Sequence, residues 1–345
     1  MTTLWRLLSL LALCLGTIAT SLASTTVSAN AQAEASGTIS VLETPAATAE
    51  VVNVGMYVNT VYQLEVASST YYLDAYLWFK WKGDIDPTAT MEITNLVEEW
   101  GAIVTPLNEE PMLLPDGHQY KLLKVEGRFM QPFVLADYPL DRQKLSVYLE
   151  DSTHGADQLV YVMDTEGSGY GHMLAIPGWQ ISNWSSHQLQ HDYGSFFGAE
   201  KAGSASVYST LRFDLEIARP VNFFIWKLML PLVILLMASW MVLVLDPKLV
   251  EVRTALPATG LLTAVFLQQS YSDGLPEVGY LVLIDKIYAV AYAMIVLTLL
   301  RAIWTSRTEL SGDLAVAAAR VMDRKLLVGQ VLLFTAAVAL IVLAR

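Results

Sequence analysis

The chain has 345 residues, 54% of them hydrophobic and 16% charged, with a formal net charge of −12. The acidic surplus lies mainly in the first half, which argues against nucleic acid as a partner and favours attraction of cations. The single cysteine, Cys14, lies in an expected signal segment, so disulfides and thiol catalysis are not expected in the mature chain.

The N-terminus has the order of a secretory signal peptide. Residues 1–32 contain one arginine, a short apolar run and then small residues, so we assign them to a signal peptide and its processing region. Residues 33–50 are rich in Thr, Ser and Ala with little bulky apolar content. They are expected to form a flexible N-terminal segment.

Residues 51–220 alternate apolar and polar side chains, with frequent Tyr, Trp and Val, between turns of Pro, Gly and Asp or Asn. Period-two runs of β-branched and aromatic residues are typical of half-buried strands. Several such strands predict an antiparallel β-sandwich, placed outside the membrane by the signal peptide. No nucleophile elbow, phosphate loop or metalloprotease motif is present, so an enzyme is not expected.

Residues 221–345 carry apolar runs long enough to cross a membrane. We predict four transmembrane helices, at about 222–245, 248–272, 280–304 and 321–344. With the sandwich outside, the first and third connections lie in the cytoplasm. The basic residues cluster in or beside those connections and the outer one is acidic, as the positive-inside rule requires. These residues are Lys248, Arg253, Arg301, Arg307, Arg320, Arg324 and Lys325 inside, and Asp273 and Glu277 outside.

The second predicted span is not uniformly apolar. It is flanked by Glu251 and Arg253 at one end and Asp273 at the other, and Thr and Gln side chains interrupt it. A charged side chain in the bilayer costs about 2.5 to 3.5 kcal/mol on insertion scales, so such groups usually face a bundle interior or a water-filled path. The pattern indicates a pore.

Several motifs in one order resemble the prokaryotic pentameric ligand-gated ion channels, the cysteine-free branch of the Cys-loop receptor superfamily. The motifs are Trp78 and Trp81 in AYLWFKW, the loop YPLDRQ, Gly178-Trp179, Arg219 ahead of Pro231, and Leu275-Pro276. The resemblance covers about residue 51 to the end. It implies a homopentamer in which an extracellular sandwich binds the agonist and five second helices line the pore.

The family register, counted back from Leu275-Pro276, implies a pore-lining face at steps of three and four. The implied residues are Glu251, Ala255, Thr259, Leu262, Phe266, Gln269 and Asp273. Rings of Leu262 and Phe266 would form an apolar gate that blocks ions by dewetting, and a ring of Glu251 would favour cations. The alternative is that Leu262 and Phe266 pack against neighbouring spans. Pro257, inside this helix, is expected to make the register below Leu262 less regular.

The resemblance also implies residues that couple the sandwich to the membrane helices. Asp141 and Arg219 correspond to a charged pair at the base of the sandwich; a plain surface turn and an interfacial arginine are the alternatives. The full implied set is Glu65, Pro139, Asp141, Arg219 and Pro276.

The implied agonist site lies between neighbouring sandwiches. Aromatic faces suit an organic cation, although the same side chains serve equally well as core. The loop STHGADQ supplies only His154 where the family usually has an aromatic residue, which argues against amine recognition. The candidate residues are Tyr76, His154, Tyr193, Phe196, Phe197 and Tyr208.

The alternative function is a membrane-anchored periplasmic binding or sensor protein without conduction, which would not need a polar second span.

No cofactor or metal is expected. His187 and His191 lie on a predicted strand rather than a helix, and acidic pairs such as Glu109-Glu110 and Glu150-Asp151 lack ligand-loop spacing. Modulation by calcium bound to such acidic pairs stays open. Expected partners are further copies of the chain, the lipid bilayer, permeant ions and a small-molecule, proton or divalent-ion agonist. The expected location is the bacterial inner membrane.

Overall fold

The computed structural model describes residues 38–41, 48–97, 101–195, 197, 207–307 and 313–345. The expected signal peptide and the candidate ligand residue Phe196 lie outside these residues. The described chain begins with a β-sandwich and ends with long helices, so the predicted fold class is confirmed.

Within the described residues, twelve strands form the sandwich. One sheet has the order β1-β11-β12-β8-β4; the other has the order β10-β2-β3-β7-β5, with β6 added to β7 and β9 added to β2. Strand pairing is antiparallel except where β9 and β10 join β2. The strands are β1 Thr38–Val41, β2 Glu50–Glu65, β3 Thr70–Trp81, β4 Met91–Ile93, β5 Ile103–Pro106, β6 Met112–Leu113, β7 Gln119–Met130, β8 Arg142–Asp151, β9 Leu159–Met163, β10 Gly169–Tyr170, β11 Gln180–Asp192 and β12 Val207–Ala218.

Strand β3 shows why these sequences form a sandwich. Its residues Tyr71, Leu73, Ala75, Leu77 and Phe79 are all at most 3% exposed, and half-buried side chains alternate with them from residue 72 to 76, whereas Trp78 is buried on the other face. Successive side chains of a strand point to opposite faces, so every second residue enters the core. The sandwich core is therefore built from the period-two pattern that the sequence displays.

Five helices complete the described fold. A short helix, α1 (Pro87–Thr90), lies in the sandwich. The helices long and apolar enough to cross a membrane number four: α2 Phe223–Met241, α3 Val250–Ser272, α4 Leu283–Arg307 and α5 Asp313–Leu343. The first turns of α2, Phe223–Met229, are π-helical. The protein is therefore a multi-pass membrane protein.

Helix α5 begins earlier than the prediction of 321, at Asp313. Apolar content alone predicts the helix from the long apolar run that starts near Leu326 and predicts a loop before it. Those residues are rich in alanine, the strongest helix former, so the helix extends beyond the apolar stretch.

Helix α3 continues through Pro257. Pro257 is buried together with Arg253, Ala264 and Tyr271, so the proline lies on the side of α3 that packs within the protomer. Transmembrane helices accept an internal proline where neighbouring groups compensate for the lost backbone bond.

Gly260 allows α2 and α3 to approach each other closely. A Cβ atom at Gly260 would lie 2.6 Å from the Ser239 Oγ of α2, which is buried. By contrast, a Cβ at Gly329 in α5 meets no atom within 4 Å. Small residues at helix interfaces in membranes allow this kind of close packing.

Gly260→Ala is expected to lower the thermal stability of the purified protein, because the added methyl group collides with the Ser239 hydroxyl. Adding Ser239→Ala removes that atom and restores stability. The matched control Gly329→Ala is expected to be neutral or to stabilise by up to about 1 kcal/mol through helix propensity. Thermal unfolding in detergent compares the variants; equal midpoints for Gly260→Ala and Gly329→Ala would contradict the close approach.

Candidate functional site

The seven residues predicted to line a pore all face away from the helices of their own protomer. Glu251, Ala255, Thr259, Leu262, Phe266, Gln269 and Asp273 are each exposed. The side chains of Leu262 and Phe266 stand out, with 57% and 65% of their surface exposed. These two residues therefore pack little against the rest of the chain. Val265 of the same helix is also exposed, at 49%.

Helix α3 carries polar groups at both ends of this outward face. Glu251 lies in the first turn of the helix, and the Gln269 Nε2 donates to Asp273 Oδ1 at 2.7 Å near the last turn. Thr259 and Thr263 are linked along the helix by a hydrogen bond from the Thr263 hydroxyl to the Thr259 carbonyl, at 2.9 Å. The helix thus presents polar, apolar and polar layers in succession.

A second polar cluster, which the sequence motifs did not predict, lies between α3 and α4. Gln268 Nε2 donates to Asp285 Oδ1 at 3.0 Å, and the Tyr271 hydroxyl donates to the same carboxylate. Tyr292 donates to Gln268 from α4. The carboxylate of Asp285 at the start of an apolar span was the available signal, because such groups need polar partners inside a membrane bundle.

Asp141 and Arg219 meet at the base of the sandwich. The Arg219 Nε donates to Asp141 Oδ1 at 2.8 Å, and Asp141 is 2% exposed. The Gln143 side-chain amide donates to the other carboxylate oxygen at 2.6 Å. The guanidinium carbon of Arg219 lies 4.1 Å from the ring centroid of Trp179 and 4.9 Å from that of Tyr138. The arginine is thus held by a carboxylate and by aromatic faces together.

The loop before β8 rests directly on the membrane helices. The backbone N–H of Leu283 donates to the Ala136 carbonyl at 2.9 Å, and that of Ile284 donates to the Tyr138 carbonyl at 3.2 Å. The rings of Tyr138 and Tyr271 stack with centroids 6.2 Å apart. Burial raises the pKa of the Tyr138 phenol, so its hydroxyl stays neutral at this junction. The start of α4 is therefore tied to the loop that contains Asp141.

The other predicted coupling residues are placed less centrally. Pro139 is buried in the same loop as Asp141, whereas Pro276 is half-buried in the connection between α3 and α4. Glu65 is exposed at the last position of β2, and its carboxylate accepts a hydrogen bond from Ser68 at 2.9 Å. The structure therefore brings Pro139, Asp141 and Arg219 together.

Aromatic residues meet where β11 and β12 approach their connection. The ring of Tyr193 lies 5.7 Å from that of Tyr208 and 5.3 Å from that of Phe197, both in edge-on geometry. The Tyr193 hydroxyl donates to the buried carboxylate of Glu150 at 2.8 Å. Burial, followed by this carboxylate, raises the pKa of the Tyr193 phenol. His191 Nδ1 lies 2.9 Å from the same carboxylate.

Two candidate ligand residues lie apart from that cluster. Tyr76 is in β3, opposite Tyr57 and Lys124. His154 Nδ1 lies 3.0 Å from Asp151 Oδ1. Of the described residues, no group of three His, Cys, Asp or Glu is arranged to hold a metal ion.

The N-terminal end of α3 contains a buried charge cluster. Arg253 Nη2 donates to Asp323 Oδ2 of α5 at 2.6 Å, and Arg301 Nε of α4 donates to Asp323 Oδ1 at 2.6 Å. From the sequence, Arg301 is expected only as a basic residue near a connection, and Arg253 also as a charge that flanks the second span. The sequence signal for this cluster was Asp323, which lies among basic residues. A buried carboxylate needs cations as partners, so its presence beside a membrane span predicts such a cluster.

Comparison with known proteins finds relatives among ion channels and receptors. The chain is 24% identical to a gamma-aminobutyric acid receptor beta subunit of Lymnaea stagnalis, over 48% of this chain and 32% of the relative. It is 24% identical to the human gamma-aminobutyric acid receptor subunit rho-3, over 50% of this chain and 35% of the relative. It is 24% identical to a proton-gated ion channel of Gloeobacter violaceus, over 55% of each. No protein-family model matches the chain.

The matched segments therefore span between a third and just over half of these relatives. The relatives are ligand-gated channels of the Cys-loop superfamily, so the resemblance inferred from the sequence motifs is confirmed.

Proposed function

We propose that this relative of the pentameric ligand-gated channels is itself a ligand-gated ion channel. In this proposal five copies surround a pore lined by α3, and an agonist bound between neighbouring sandwiches opens it. The sandwich faces the periplasm, and the helices cross the bacterial inner membrane. The observation that carries the proposal is the outward face of α3, where a helix of membrane-spanning length exposes polar residues at both ends and an apolar girdle between them.

If α3 were only an anchor in lipid, exposure of these polar groups to hydrocarbon would be unfavourable in free energy. A ring of five α3 helices gives the groups water instead, while Leu262 and Phe266 narrow the path and can dewet it when the channel is closed. The junction of Arg219, Asp141 and the start of α4 supplies a mechanical connection from the sandwich to the membrane helices. The proposed pore is cation-selective because the exposed carboxylate of Glu251 recurs five times at its inner mouth.

Reconstitution into planar bilayers tests the function. Native mass spectrometry first establishes the number of copies, and currents are then recorded while pH and small molecules, including gamma-aminobutyric acid, are varied. Agonist-dependent current with a reversal potential that follows the cation gradient is the expected result. A confirmed pentamer that carries no current under any condition would favour a sensor without conduction, and an anion-following potential would reject the role of Glu251.

Glu251→Gln is expected to lower the cation-to-anion permeability ratio by about tenfold, equivalent to about 1.4 kcal/mol in relative barriers, because it removes one negative charge per subunit from the mouth. Reversal potentials in asymmetric salt measure the ratio. Glu277→Gln is the matched control, since Glu277 is also exposed but lies in the connection between α3 and α4. A ratio that is the same in both variants would place the selectivity ring elsewhere.

A further inference from the structure

The charge cluster at the N-terminal end of α3 joins three helices. It consists of Arg253 from α3, Arg301 from α4 and Asp323 from α5, and Asp323 accepts one hydrogen bond from each arginine. Arg253 is 1% exposed and Asp323 is fully buried. Two cations share one carboxylate, so the cluster has a net positive charge; it is buried except at Arg301, whose side chain is 18% exposed.

Asp323 is the carboxylate acceptor of Arg253. Among the described residues, the Arg253 Nε and Nη1 atoms are buried without a hydrogen-bond partner, so Asp323 provides the contact that keeps the guanidinium inside. A buried charge that loses its counter-ion is strongly unfavourable, and a flexible arginine side chain relieves this by turning toward water.

Helix α5 is well placed to hold this acceptor. The same side of α5 contacts α4 again at Gln330, whose side chain accepts a hydrogen bond from Thr298 at 3.0 Å. Further along, Phe334 packs edge-on against Trp240 of α2, with ring centroids 6.2 Å apart. Asp323 is therefore fixed by a helix that is packed at two other levels.

We propose that Asp323 is a positioning residue for the pore: it keeps the Arg253 guanidinium buried and so preserves the negative potential of the Glu251 ring at the inner mouth. The inference rests on the proposed function, because it assigns Glu251 to that mouth. Arg253 lies two residues after Glu251 at the same end of α3. Once released, its positive charge would lie within a Debye length of the Glu251 ring, which is about 8 Å at physiological ionic strength.

The test measures the potential at the mouth without requiring conduction. Ala255→Cys, one helical turn from Glu251 on the same exposed face, is introduced into a Cys14→Ser background, so that the Glu251 ring stays intact and only this thiol reacts in the full-length assembled protein. Its modification rates by a cationic and an anionic methanethiosulfonate of similar size are then compared. The ratio of the two rates reports the local potential.

Two double variants with the same total charge provide the sharpest comparison. Asp323→Asn with Arg301→Gln leaves Arg253 without its acceptor, and the cationic-to-anionic ratio is expected to fall by about tenfold. Asp323→Asn with Arg253→Gln removes the cation of α3, while Arg301 of α4 keeps its hydrogen bond to the Ala319 carbonyl, so the ratio is expected to match the parent. Asp323→Glu keeps the acceptor and should also match the parent.

Asp246→Asn is the control for a carboxylate at the same end of the bundle. Asp246 pairs with Arg320 of α5 at 2.6 Å, but both side chains are exposed, so this variant should leave the ratio unchanged. Equal ratios in the two double variants would overturn the positioning role. If the ratios separate as expected but the parent carries no current, the proposed function fails while the role of Asp323 stands.

Discussion

Arg219→Ala is expected to abolish agonist-evoked current while leaving export and assembly intact. The substitution removes the hydrogen bond to Asp141 and the contacts with Trp179 and Tyr138. A buried carboxylate that loses its cation costs about 3 to 5 kcal/mol, so the loop of Asp141 would relax from its present position. Because that loop bonds to the start of α4, movement of the sandwich would no longer reach the helices.

Surface biotinylation and native mass spectrometry establish export and assembly for this variant, and patch-clamp recording measures the current. Lys144→Ala is the matched control: Lys144 pairs with Glu216 at 3.1 Å in the same sandwich, but the lysine side chain is 52% exposed. Exposed ion pairs contribute at most about 1 kcal/mol, so the control should gate normally. Normal gating in Arg219→Ala would reject the coupling role.

Leu262→Ser and Phe266→Ser are expected to produce current in the absence of agonist. The two side chains are exposed on the outward face of α3, where five copies would form consecutive apolar rings. A hydroxyl at either level lets water remain in the constriction, which lowers the barrier that dewetting imposes on ions. The double variant should have the largest resting conductance.

Resting current, normalised to the amount of protein at the cell surface, measures this effect. Val265→Ser is the matched control, because Val265 is an exposed apolar residue of the same helix but lies outside the predicted pore-lining set. Its resting current should equal that of the parent. A leak of the same size in Val265→Ser would show that general loosening of the helices, rather than a gate at Leu262 and Phe266, produces the current.

The strand and helix content of this protein follows from local patterns. The alternation of apolar and polar side chains in residues 51–220 predicted strands, and burial alternates accordingly along the second half of β7. Burial repeats every second residue in such segments, so the sequence reports it directly. The prediction for α5 was less accurate at its start, because apolar content marks the part of a helix in the membrane rather than the helix itself.

The sequence by itself determined that a sandwich precedes the membrane helices and that α3 is polar, because both depend on composition and on spacing within one element. The candidate set that includes Glu251, Leu262 and Phe266 came from the family resemblance, which supplied the register of α3. Only the tertiary structure decided the partners of charges from distant segments. Arg253 meets Asp323 across 70 positions, because folding brings together groups whose spacing along the chain carries no periodic signal. The pair of Asp141 and Arg219, 78 positions apart, was expected only through the family resemblance.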